Sequence, residues 1–160
     1  MTGFGIYLKT MLDRATVEAR LDGSATVEAR HLLLAVVADQ GSDQGSDPGR
    51  VLVSAGLDDS AIRAALSREF EASLNAAGVT RSVFDGLPPA TPDPKHVPHL
   101  GASARLAVER GVGSASGPAP QPAHLLLGIL QAEVGTVPRA LALAGVDRAD
   151  LIARVAQTLK

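Results

Sequence analysis

The sequence predicts an all-α protein of eight helices, arranged as two similar four-helix halves that pack into one domain over residues 1–160. Hydrophobic residues make up 46% of the chain but aromatic residues only 2%. Its core must therefore be built from Ala, Leu and Val, which suits closely packed helices better than a β-sandwich. In addition, two apolar segments of the first half recur in the second. These observations favour a duplicated helical fold.

The recurring segments follow the same order in both halves. The string HLLLAVV at His31 recurs as HLLLGIL at His124, and RVLVSAGLD at Arg50 recurs as RALALAGVD at Arg139. Between them the first half has the longer loop, DQGSDQGSDPG, which is polar and glycine-rich and is predicted to be exposed. We expect the halves to be related by an approximate twofold rotation, with their leucine-rich ridges buried against each other.

Each half contains the same series of helices. A first helix is predicted over about residues 6–21 and again over about 102–112, and the helix with the HLLL string follows it. A third, short helix has a proline near its start and a glycine just past its end, the usual asymmetry of helix termini. These residues are Pro48 and Gly56 in the first half, and Pro138 and Gly145 in the second.

The fourth helix of each half begins after an aspartate. Asp58 and Asp147 are predicted to cap it, because a carboxylate accepts hydrogen bonds from the free N–H groups of the first turn. Its apolar positions recur at helical spacing and are predicted to be buried. They are Ile62, Leu66 and Phe70 in the first half, and Leu151, Val155 and Leu159 in the second.

A proline-rich stretch separates the halves. The string GLPPATPDPKHVPHLG has too many prolines for regular structure and is predicted to be a linker over about residues 86–100. The first repeat then covers about residues 4–75 and the second about residues 101–160.

Two copies of a four-helix unit with an H-L-L-L helix and an x-x-L-x-x-x-G-x-D segment resemble the Clp repeat. This repeat forms the N-terminal domain of Hsp100 unfoldases such as ClpA and ClpC, and the resemblance spans Phe4 to about Leu159. It implies a mobile docking module that receives adaptors and substrates for AAA+ rings, which feed the ClpP peptidase. The 160 residues contain no Walker A string, G-x-x-x-x-G-K-[ST]. We therefore expect a stand-alone, non-enzymatic N-domain-like protein.

The resemblance also implies a binding surface where the first helices of the two repeats meet, at which adaptors and cyclic peptide antibiotics dock. The corresponding residues are Phe4, Tyr7, Met11, Leu100 and Arg105. An exposed aromatic and methionine near a chain end would favour binding, whereas the alternative is that Phe4 covers the core at the start of its helix. The main hypothesis is a protein-binding module that modulates or delivers partners for ClpC/ClpP proteolysis. The alternatives are a decoy that sequesters cyclic peptide antibiotics and a remnant with a structural or dimerising role.

One departure from the resemblance concerns phosphoarginine. In some ClpC proteins a glutamate directly before each H-L-L-L string pairs with the guanidinium of phosphoarginine, a task that suits a carboxylate. Arg30 and Ala123 occupy these positions here. Tyr7 and Ser103 replace the basic residues that would hold the phosphate. We therefore expect the chain not to recognise phosphoarginine.

No arrangement for catalysis, cofactor or metal binding is predicted. His31 and His124 lie on apolar helical stripes and are expected to be buried and hydrogen-bonded to backbone or a cap. His96 and His99 have H-x-x-H spacing, but the linker offers no defined third ligand. The chain has no cysteine, and no serine is placed beside a plausible histidine base.

Charge and hydropathy exclude two further classes of partner. The formal charge is −2 with a pI of about 6.0, and no basic run is present, so nucleic acid is not an expected partner. No apolar run reaches the roughly 18 residues of a membrane span, and the N-terminal string MTGFGIYLKTML lacks a signal-peptide pattern. We expect a cytoplasmic protein.

Overall fold

The computed structural model describes residues 3–39, 47–80, 82 and 95–160. Within these residues the chain forms eight helices and one pair of two-residue strands, which confirms the predicted all-α class. The elements of the first half are α1 (Gly3–Leu21), β1 (Thr26–Val27), α2 (Ala29–Ala38), α3 (Pro48–Ser54) and α4 (Asp59–Ala76). Those of the second half are β2 (His99–Leu100), α5 (Ala102–Gly113), α6 (Pro122–Leu130), α7 (Thr136–Leu143) and α8 (Arg148–Gln157).

The predicted helix termini are confirmed. Asp58 accepts a hydrogen bond from the Ala61 amide at 2.7 Å, and Asp147 accepts one from the Ala149 amide at 2.9 Å. The short helices α3 and α7 are followed by Gly56 and Gly145, whose φ angles of 82° and 73° lie in the left-handed region that favours glycine.

The centre of the fold is formed by α2 and α6, the two helices with the HLLL strings. Nearly every side chain of both helices is buried, and the two helices contact each other. Helix α1 packs on α2, α5 packs on α6, and α4 packs on α7. The last contact joins the two halves, because α4 belongs to the first and α7 to the second.

Helices α5 and α6 approach to backbone contact. A Cβ atom added at Gly128 would lie 1.8 Å from the carbonyl oxygen of Ala107, and one added at Gly111 would lie 2.4 Å from that of His124. The first half has Ala35 at the position equivalent to Gly128. The close approach of α5 and α6 therefore depends on a glycine that the first repeat does not share.

Two predictions about the fold are wrong in part. The linker was predicted to lack regular structure, but its last residues form β2, which pairs in parallel with β1. The pairing includes hydrogen bonds from the amide of His99 to the carbonyl of Ala25 (3.1 Å) and from that of Gly101 to the carbonyl of Val27 (2.8 Å). Residues 86–94 of the predicted linker lie outside the described residues.

The buried stripe of α4 also differs from the prediction. Phe70 is 51% exposed, whereas Glu69 is 5% exposed. The Glu69 carboxylate accepts hydrogen bonds from Arg139 of α7 at 2.9 Å and from Ser73 at 2.7 Å. Because these two partners compensate the buried charge, the side of α4 that faces α7 can hold a carboxylate, and the phenyl ring lies outside the core.

Candidate functional site

The two recurring histidines cap the central helices. His31 and His124 are buried, as predicted, and the Nδ1 atom of each accepts a hydrogen bond from a backbone amide, that of Glu28 or Gln121, at 2.8 Å. An Nδ1 atom that accepts must be unprotonated, so the neutral ring has its proton on Nε2. In His31 this second nitrogen lies 2.7 Å from Oδ2 of Asp22. These rings serve the scaffold.

Next to the cap formed by His31, the side chain of Glu28 connects the two halves through hydrogen bonds, and we call this place the junction. Its carboxylate accepts hydrogen bonds from the hydroxyls of Thr26 (2.7 Å) and Ser103, and Ser103 Oγ accepts one from the Ala29 amide at 2.9 Å. The carboxylate covers Gly101, since a Cβ atom there would lie 2.1 Å from Glu28 Oε1. A negative charge is thereby held at the start of α5, where the helix dipole stabilises it.

Sequence reasoning missed Glu28. Its partner Ser103 lies 75 residues away, and no local pattern connects the two positions. The resemblance pointed to the residue directly before each HLLL string, which is Arg30 in the first half. In this chain the carboxylate belongs to Glu28, two positions before Arg30.

Two carboxyl groups at this junction have lowered pKa values. Partial burial acts to raise the pKa of Glu28, but the hydrogen bonds from Ser103 and Thr26 outweigh it and hold the pKa below its ordinary value of 4.5. For Asp22, burial is likewise outweighed by hydrogen bonds from Ser24 and His31, and the pKa lies below its ordinary value of 3.8. Both groups therefore stabilise the fold in their charged form.

We expect Glu28→Gln to reduce the loss in the free energy of unfolding that accompanies acidification. A carboxyl with a lowered folded-state pKa contributes stability that is present above its unfolded pKa of 4.5 and is lost as the pH falls through the lower, folded value. Chemical denaturation from about pH 7 to about pH 3 checks this. The wild type should be the more stable protein at the upper end, and the difference should shrink on acidification. A difference that is constant with pH would contradict the linkage.

Beside this junction the surface has two adjoining grooves. The larger, of about 480 Å³, lies between the end of α1, α2, α4 and the start of α7. The smaller, of about 290 Å³, lies between α5, the end of α6 and the start of α7. Arg30 and Thr136 line both grooves. Because they share these two residues, we call the two grooves together the joined groove.

Exposed apolar side chains line the joined groove. Leu21 is 70% exposed and Phe70 51% exposed in the larger part, while Val134 is 85% exposed and Leu106 is also exposed in the smaller part. Single exposed apolar residues are ordinary, but several around one concave surface are typical of an interaction site. Here the displaced Phe70 becomes a candidate contact residue.

Charged residues of the larger part are paired within the chain. Arg63 donates hydrogen bonds to both carboxylate oxygens of Glu18, at 3.1 and 2.7 Å, and a third to Asp59 at 2.8 Å. The bonds to Glu18, and next those to Asp59, raise the pKa of Arg63 above its usual range. Arg30 donates to Asp22 at 3.1 Å and to Ser24 at 2.8 Å.

The five residues predicted to bind partners do not share one surface. Met11 is completely buried and Phe4 is nearly so, which agrees with the alternative that Phe4 covers the core at the start of its helix. Both belong to the core cluster, where α1 packs on α2.

Tyr7 packs against the core, and burial first, then the carboxylates of Asp39 and Asp47, raise its pKa. Leu100 and Arg105 are exposed, and Leu100 pairs with Val27 just before α2. Partner binding by these residues stays a prediction.

Neither position at which the resemblance implies a phosphoarginine-binding glutamate has a carboxylate in this chain. The guanidinium of Arg30 is bonded to Asp22 and Ser24, and Ala123 is completely buried in α6. The absence of phosphoarginine recognition stays a prediction that agrees with this chemistry.

Two further sequence expectations concern metal and membrane. His96 and His99 contact edge to face with ring centroids 6.1 Å apart. Among the described residues no group of three or more His, Cys, Asp or Glu side chains is placed to hold a metal ion. In the same part of the chain no helix combines the length and apolarity of a membrane span.

Comparison of the structure with solved structures identifies the fold. The N-terminal domain of the caseinolytic protease associated chaperone ClpD from Arabidopsis thaliana superposes with a TM-score of 0.62, over 95% of this chain and 94% of that domain. The chain has a Clp N-domain fold. At 21% identity the Clp N-domain likeness is one of fold. Neither protein-family models nor curated proteins match the sequence.

Proposed function

We propose that this chain is a non-enzymatic protein-binding module that holds its partners in the joined groove and modulates or delivers them for Clp proteolysis. One observation carries the proposal: on a Clp N-domain fold, Leu21, Phe70 and Val134 are exposed around two adjoining grooves. The volume of the larger part, about 480 Å³, is within the range of about 300–1,000 Å³ that suits binding clefts.

The residues with reactive side chains support a binding role because they are engaged in structure. His31 and His124 accept backbone hydrogen bonds through Nδ1 and cannot take up a proton there without losing a cap. Ser103 donates a hydrogen bond to the Glu28 carboxylate and accepts one from the Ala29 amide, and no histidine is among its hydrogen-bond partners. We therefore assign the chain no catalytic role.

The proposal is tested with a purified Clp unfoldase of the ClpC type and its ClpP peptidase. We expect saturable binding of the unfoldase or its adaptor to this protein, and a change of about twofold or more in the rate at which ClpC and ClpP degrade fluorescent casein. Phe70→Ser should weaken binding about tenfold, since it removes a central aromatic contact worth about 1.4 kcal/mol or more.

The matched control is Leu143→Ser. Leu143 is about as exposed as Phe70 but does not line the joined groove, so this variant should bind like the wild type. Equal loss in both variants, or no binding and no change in degradation, would refute the proposal. The alternative decoy function predicts instead a rise of several degrees in the melting temperature with a cyclic peptide antibiotic; no structural observation favours it.

A further inference from the structure

The charges around the joined groove indicate the chemistry of the segment that it takes. Resting on the proposed function, we propose that the joined groove binds a peptide segment of a partner protein that presents apolar side chains to Leu21 and Phe70 and a carboxylate to Arg110.

Among the described residues, every charged side chain that lines the larger part of the joined groove is already paired within the chain. Glu18 is held by Arg63, Asp22 by Arg30 and His31, and Glu69 by Arg139 and Ser73, as the distances of 2.7–3.1 Å show. A charged side chain placed there would compete with an existing pair and lose its own hydration. An uncharged apolar side chain gains burial against Leu21 and Phe70 without breaking a pair.

The smaller part differs in one residue. Arg110 is the one charged residue lining either groove whose side chain has no hydrogen bond or ion pair within the described part of the chain. The other charges of the smaller part are Glu28, which is bonded to Thr26 and Ser103, and Arg30, which is bonded to Asp22. The available charge is therefore positive.

Complementarity then favours a partner carboxylate over a partner amine. A carboxylate beside Arg110 can accept two hydrogen bonds from the guanidinium fork, with the apolar surfaces of Leu106 and Val134 beside it. An ammonium group at the same place would face Arg110 and Arg30 and meet like charge.

The test uses short fluorescein-labelled peptides with the same leucine and serine residues and one variable central residue, Glu, Gln or Lys. We expect the Glu peptide to bind about three- to fivefold more tightly than the Gln peptide, the size of a partly exposed ion pair, and the Lys peptide to bind most weakly. Arg110→Gln should abolish the preference for Glu, so that the variant binds the Glu and Gln peptides about equally.

Two variants give the controls. Arg68→Gln changes an exposed arginine of α4 that lines neither groove and should keep the preference. Phe70→Ser should weaken all the peptides alike. Circular dichroism verifies that each variant is folded, because a basic residue in the last turn of α5 also suits the helix dipole.

The inference is overturned if none of the peptides binds saturably, if Glu and Gln bind equally, or if the preference persists in Arg110→Gln. Binding to the Clp unfoldase without a Glu preference would remove this inference and leave the proposed function intact. A Glu preference that depends on Arg110, without binding to any Clp component, would support this inference and refute the proposed function.

Discussion

Replacement of Gly128 by Ala is expected to lower the free energy of unfolding by about 3 kcal/mol. Helix propensity alone would make this change favourable by about 1 kcal/mol. The new Cβ, however, would lie 1.8 Å from the carbonyl oxygen of Ala107 and 2.7 Å from the amide nitrogen of Gly111. Both atoms belong to the backbone of α5, so the two helices must separate, and overpacking of this kind costs more than the propensity gain.

Thermal and urea denaturation measure the effect of this substitution, which should lower the melting temperature by about 6–12 °C in a chain of this size. Gly113→Ala is the control on the adjacent helix, because a Cβ atom there meets nothing within 4 Å. It should leave stability unchanged or raise it by a few tenths to about 1 kcal/mol. A Gly128→Ala protein as stable as wild type would show that α5 and α6 do not touch as described.

Replacement of either capping histidine by Leu is expected to cost about 2 kcal/mol. The amide of Glu28 or Gln121 would lose its acceptor in a partly buried environment, where an unsatisfied donor costs about 1–3 kcal/mol. His31→Leu should cost somewhat more than His124→Leu, because it also removes the contact with Asp22. Urea denaturation of the single variants at about pH 7 checks both values.

The control for these variants is His→Gln at each position. Glutamine is the common capping-box residue at the third position of a helix, where its side-chain oxygen can reach back to the same amide. It should recover at least half of the loss. If Leu and Gln variants are equally unstable at both sites, packing rather than the hydrogen bond of the cap determines the cost.

The helices could be predicted because their determinants are local. Asp58 and Asp147 act on amides within three residues, and Gly56 and Gly145 end the helices they directly follow. The burial of His31 and His124 could also be predicted, because each lies on a stripe of leucines.

The candidate site could be predicted less well, because its determinants are distant in sequence. Glu69 rather than Phe70 is buried because it accepts a hydrogen bond from Arg139, 70 residues away. The pairing of β1 with β2 likewise depends on contacts across more than 70 residues. The sequence left open whether Phe4 is exposed or covers the core, because hydrophobic residues near a chain end do either.

Long-range nitrogen–proton NMR correlations of the histidine rings test most directly whether the two halves share one scaffold. At about pH 8 we expect His31 and His124 both to have the proton on Nε2 and an unprotonated Nδ1, because Nδ1 accepts the hydrogen bond of the cap. The exposed rings of His96 and His99 provide the internal comparison. A proton on Nδ1 of either buried ring would contradict the shared cap and, with it, the duplicated architecture that positions the joined groove.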